Sequence, residues 1–134
     1  MAESAGQSYL TGAMLPSGEK LINAVLTVHP DRVTVVYRQQ LSAPYFMWTG
    51  GEDGYRAFLF DPAGSRNADT AFLLCYEIAL PWRVLKNHLD PVNDVLFLSN
   101  IWWAAGTGIQ ATMLAHAAGW SRLFGVPYTA TFNL

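Results

Sequence analysis

Apolar and polar positions alternate in short runs through the first half of the chain and take a helical spacing only near the end. In residues 33–40, Val33, Val35 and Tyr37 share one face, and Thr34, Arg38 and Gln40 share the other, with Val36 the exception. A period of two marks a half-buried strand. Residues 21–28 supply its partner across His29-Pro30-Asp31-Arg32, where Pro and Asp form a hairpin bend. Residues 9–15 read as an earlier strand, closed by the turn sequence Pro16-Ser17-Gly18-Glu19. A second hairpin is expected from 45–49 and 55–60, which flank Gly50-Gly51-Glu52-Asp53-Gly54.

Residues 70–80 form a longer apolar run. Phe72, Leu74, Tyr76 and Ile78 lie on one side of an extended chain, and Leu73, Cys75, Glu77 and Ala79 on the other. Two apolar faces predict an enclosed, central strand. Residues 82–89 read as a short helix behind Pro81, stopped by Pro91, and 95–98 as a strand. The strongest helix signal follows. Thr107 and Gln110 make a capping box, the run reaches Phe124, Arg122 sits in the last turn, and Gly125 and Pro127 close it. Ile109, Met113, His116, Ala117, Trp120 and Phe124 would face a sheet, and Ala111, Ala115, Ala118 and Gly119 would lie opposite. Residues 126–134 end as a strand. The pattern predicts an α+β fold: an antiparallel meander of about five to eight strands, open barrel or sandwich-like, with one main C-terminal helix packed on it. Residues 1–8 read as a flexible polar arm and 9–134 as a single β-rich domain.

Composition narrows the function. Of 134 residues, 51% are apolar and 13% charged, roughly half the usual charged share of about 25%. That excludes a disordered chain or a charged coiled coil. A net charge of −2 argues against nucleic-acid binding. Lys20 and Lys86 are the only lysines, and lysine is depleted at interfaces. A GC-rich genome would also reduce Lys, but an oligomer or assembly subunit accounts for both the apolar excess and the missing Lys. Residues 1–8 lack the basic start and apolar run of a signal peptide, so a cytoplasmic, virion-associated or complex-associated location is expected. Residues 95–121 carry no charge, yet Ser99, Asn100, Gln110 and His116 interrupt them and Gly106-Thr107-Gly108 divides them, so a membrane span is not expected.

Few residues suggest chemistry. Gly106-Thr107-Gly108-Ile109-Gln110-Ala111 matches the glycine pattern of dinucleotide sites, but no Asp or Glu follows Asp94 to hold a ribose, and the helix cap explains the same residues. No cofactor is expected. Three scattered His and one Cys give no zinc spacing, and the polar cluster around His88 and Asp90 fits no cation-loop pattern, so no metal is expected. Cys75, central in its strand, reads as inert. Glu77 in an apolar strand and His116 on the apolar helix face are candidates for a proton-transfer pair, if both face one cavity. Tyr76, Met113 and Trp120 are candidate lining residues for a hydrophobic ligand. In an extended Trp102-Trp103 the rings point to opposite faces, so one of them needs a pocket or partner. With Ala111, Ala115 and Gly119, this pair forms the candidate interface.

Two functional classes follow. One is a non-enzymatic subunit of a larger assembly (virion, secretion or multi-protein complex type) that self-associates or binds a protein partner. The other is a small β-barrel around a hydrophobic ligand, working as an isomerase, lyase or cyclase through Glu77 and His116.

Overall fold

The computed structural model describes residues 7–17, 20–39, 66–67, 69–89 and 91–133. Residues 1–6 of the expected arm and the hairpin expected at 45–60 lie outside them. The first sheet holds β1 (Tyr9–Ser17), β2 (Lys20–Val28) and β3 (Val33–Arg38) in that order, all antiparallel. The turn between β2 and β3 closes where His29 N–H donates to Arg32 C=O at 2.8 Å. The strands and the turn are where the pattern puts them, but the alternation in β3 is not kept: Val33 and Val35 are exposed, Tyr37 is buried and Val36 packs beside it, because the β2–β3 register shifts between Val25 and Leu26.

The second sheet departs from an antiparallel meander. Its order is β4 (Arg66–Asn67), β5 (Thr70–Leu74), β6 (Asp94–Asn100) and β7 (Tyr128–Asn133). Only β4 runs antiparallel to its neighbour; β5, β6 and β7 are mutually parallel. Parallel neighbours need a long crossover, usually helical. The first crossover carries α1 (Pro81–Asn87), and the second carries α2 (Ile109–Phe124). Among the described residues the fold is thus α+β with two sheets and two helices, and the sheets do not close into a barrel.

Three local expectations also change. The strand expected over 70–80 stops at Leu74, and Cys75–Ala79 coil into a 3₁₀ turn. In the turn the buried Glu77 carboxylate accepts a hydrogen bond from the Leu74 N–H at 2.9 Å, which replaces one lost to water. Next, Gly108, not Thr107, caps α2, with φ of 77°; Thr107 turns its hydroxyl back to the Ala104 carbonyl at 2.7 Å. The far end is as expected, with Gly125 at φ 68° donating its N–H to Ser121. Lastly, Trp102 and Trp103 are not extended but start a 3₁₀ turn over Trp102–Ala104, and both rings are exposed.

In the second sheet β5 and β6 are buried on both faces, whereas β7 leaves Thr129, Thr131 and Asn133 exposed. Phe72, Leu74 and Leu98 meet Val25 and Tyr37 of the first sheet. Ala71, Leu73, Val95 and Phe97 pack under the helical layer with Ile78, Val84 and Ala117, and Met113, Trp120 and Phe124 close over them. The β5–β6 runs are therefore almost wholly apolar, as parallel strands buried on both faces require. Phe97 is fully buried and meets Phe132 edge-to-face at 5.6 Å. Phe97→Ala should cost about 3–5 kcal/mol. Leu123→Ala, at a side chain 66% exposed, should change stability by no more than about 0.5 kcal/mol. Urea unfolding of both variants checks the assignment.

Candidate functional site

In open α/β sheets, ligands meet the chain beyond the carboxyl ends of parallel strands. Here the first residue beyond β5 is Cys75, at φ 50° and half-buried. It is the one non-glycine residue with positive φ among those described. A left-handed conformation costs a side-chain-bearing residue about 1–2 kcal/mol, so surrounding contacts must impose it.

Those contacts converge on the preceding residue, Leu74. Its N–H donates to Glu77 Oε2 at 2.9 Å, and its C=O accepts from Gln39 Nε2 at 3.0 Å. Gln39 is itself set by Asn23, whose Nδ2 donates to Gln39 Oε1 at 2.6 Å. Beneath the turn, Glu77 and Arg83 are fully buried and Tyr37 nearly so. The Tyr37 hydroxyl lies 2.8 and 2.7 Å from the two Glu77 oxygens and donates to them. Arg83 Nη2 donates to the same hydroxyl at 2.9 Å, and Arg83 Nε lies 3.7 Å from Glu77 Oε1. Among the described residues, Arg83 Nε and Nη1 have no hydrogen-bond acceptor. Burial, reinforced by the Glu77 charge and opposed by Arg83, holds the Tyr37 hydroxyl protonated well above its ordinary range.

The structure gives Glu77 and His116 separate surroundings. Glu77 bonds toward Tyr37 of the first sheet, while His116 lies in the helical layer with Nδ1 2.9 Å from the Thr112 carbonyl of its own helix. Tyr76 is half-buried in the 3₁₀ turn. Trp120 donates its indole N–H to the Ile78 carbonyl at 2.9 Å, and the Met113 sulfur accepts from Ser99 at 3.6 Å. Both fill the layer between α2 and the sheet. An open cleft of about 350 Å³ lies elsewhere, lined by Tyr9, Leu10, Thr27 and Phe72 among others. Trp102, Trp103, Ala111, Ala115 and Gly119 are all exposed. Among the described residues, no three His, Cys, Asp or Glu side chains group to hold a metal, and no helix is long and apolar enough to cross a membrane.

The turn at Cys75 is the feature that strand-period reasoning missed. The signal was present: an eleven-residue strand, 70–80, would be about twice the usual length. A carboxylate inside that run and Pro81 after it both argue for a break.

The chain is thus a two-sheet α+β layer structure with a cysteine on a strained turn at the end of a parallel strand. No family model matches it. It is similar to the probable conjugal transfer protein TraB of Sinorhizobium fredii, 31% identical over 134 residues, covering 94% of this chain and 35% of that protein. It is also similar to the conjugal transfer protein TraB of Agrobacterium fabrum, 33% identical over 122 residues, covering 83% of this chain and 28% of that protein. The chain spans about a third of the length of these relatives.

Tyr128 offers a test of this packing. Burial of its hydroxyl, which has no hydrogen-bond partner among the described residues, holds its pKa well above the ordinary 10.0. The unfolded chain therefore ionises near pH 10 while the fold keeps the neutral phenol. This contribution to stability is complete below pH 10 and declines as pH rises toward the folded pKa. Urea midpoints should fall between about pH 9 and 11, and fall less in Tyr128→Phe.

Proposed function

We propose that the chain works in conjugal transfer as a component of the transfer apparatus, and that Cys75 is the reacting group of its site. Similarity across 94% of the chain to a probable conjugal transfer protein supports the setting. The observation that carries the chemistry is the φ of 50° at Cys75, immediately after β5. A nucleophile on a sharp strand-to-helix turn stands clear of the sheet, where a substrate carbonyl can approach it. The thiolate sulfur attacks the carbonyl carbon, a thioester forms, and the leaving group departs with its electron pair and takes up a proton. An acceptor or water then releases the acyl group and restores the thiol. Cys75→Ser and Cys75→Ala, introduced into the transfer gene, should each lower plasmid transfer at least roughly tenfold with protein abundance unchanged. Transfer at the wild-type frequency would remove the chemical role.

A purely structural role in the apparatus is the second reading, favoured by the outer face of α2. Ala111, Ala115 and Gly119 are exposed there, and Leu114 and Leu123 are 44% and 66% exposed. Small side chains let a partner approach closely at little entropic cost. The partner in this reading is a second copy or another protein of the apparatus. Under it, Ala115→Arg lowers the solution mass measured by light scattering while the melting temperature holds. An unchanged mass would mean that the row is ordinary surface.

A further inference from the structure

We infer that Tyr37, Glu77 and Arg83 form a positioning unit that holds the Leu74–Cys75 turn in its reactive geometry; this rests on the reading of Cys75 as a nucleophile. The path is short and continuous. Glu77 takes the Leu74 N–H at 2.9 Å, one peptide before the residue at φ 50°. Tyr37 fixes the same carboxylate through contacts of 2.8 and 2.7 Å, and Arg83 fixes the Tyr37 hydroxyl at 2.9 Å. Tyr37 itself is stacked on Phe72 of β5, with ring centroids 6.0 Å apart. All three polar groups belong to different elements: β3, the 3₁₀ turn and α1. The turn is therefore referenced to the first sheet and to the helical layer together, not only to its own strand.

The geometry also explains why these residue types are needed. A carboxylate has two oxygens, so one can serve the backbone N–H while the hydroxyl of Tyr37 uses the pair. Its charge is buried and needs a cation, which Arg83 brings to 3.7 Å. Tyr37 bridges the two, accepting from Arg83 and donating to Glu77. None of the three is required to touch a substrate. Their effect reaches the reaction through the backbone at Leu74, which makes them positioning residues.

Cys75 is the single cysteine of the chain, so intact-mass measurement of iodoacetamide alkylation reports this thiol alone. Rates are compared with those of the same protein in denaturant, across a range of pH, for variants that retain a cooperative melt. In the native protein Cys75 is expected to react faster than in denaturant. Glu77→Ala should slow native alkylation at least roughly tenfold. Glu77→Gln, which keeps an acceptor for the Leu74 N–H, should restore most of the rate. Tyr37→Phe removes one hydroxyl and preserves the ring, and should slow it about threefold, which keeps the test decisive if Glu77→Ala does not fold. Folded variants that react at the wild-type rate would overturn the inference while leaving Cys75 a nucleophile. Wild-type protein no faster than its denatured form would overturn the nucleophile reading, and this inference with it.

Discussion

The carboxylate of Glu77 is the constraint on which the rest of this structure turns. It is fully buried, and a buried charge is tolerated only where hydrogen bonds and an opposite charge replace water. Tyr37, the Leu74 N–H and Arg83 supply these. Meeting that demand bends the chain out of β5, coils 75–79 into a 3₁₀ turn and sends Pro81 into α1. Removing one partner of such a group typically costs about 3–5 kcal/mol, because the other charge remains buried. The cluster is thus costly to disturb even though it adds little net stability over an apolar equivalent.

The same bend decides the topology. Had 70–80 continued as a strand, the next strand could have returned beside it as a hairpin. Because the chain leaves at Leu74 and crosses over through α1, β6 comes back parallel to β5, and α2 repeats the pattern for β7. Three parallel strands with their carboxyl ends together put Cys75 at the rim where such sheets meet ligands. The left-handed conformation at that residue and the burial of Glu77 are two aspects of one local solution.

Much of the fold was legible in the sequence, and the parts that were not share a cause. The alternation in 33–38, broken at Val36, and the His29–Arg32 turn located β2 and β3, because a period of two and a proline bend are local signals. Gly125 located the end of α2 for the same reason. The parallel pairing of β5, β6 and β7 has no local signal; it follows from where crossovers lie. Glu77 stood out as a carboxylate in an apolar run, but its partners Tyr37 and Arg83 lie 40 residues before it and 6 after it, and period counting could not join them. Cys75 was expected in mid-strand because the strand was drawn over 70–80; the structure puts it at the first position of the turn instead.

The account rests on the Leu74 amide being held by Glu77 inside the folded protein. Amide hydrogen exchange at that one N–H tests it most directly. The account predicts exchange as slow as in the core of β6, through global unfolding only, and faster exchange in Glu77→Ala under the same conditions. Exchange of the wild-type Leu74 amide at the rate of an exposed turn would contradict it.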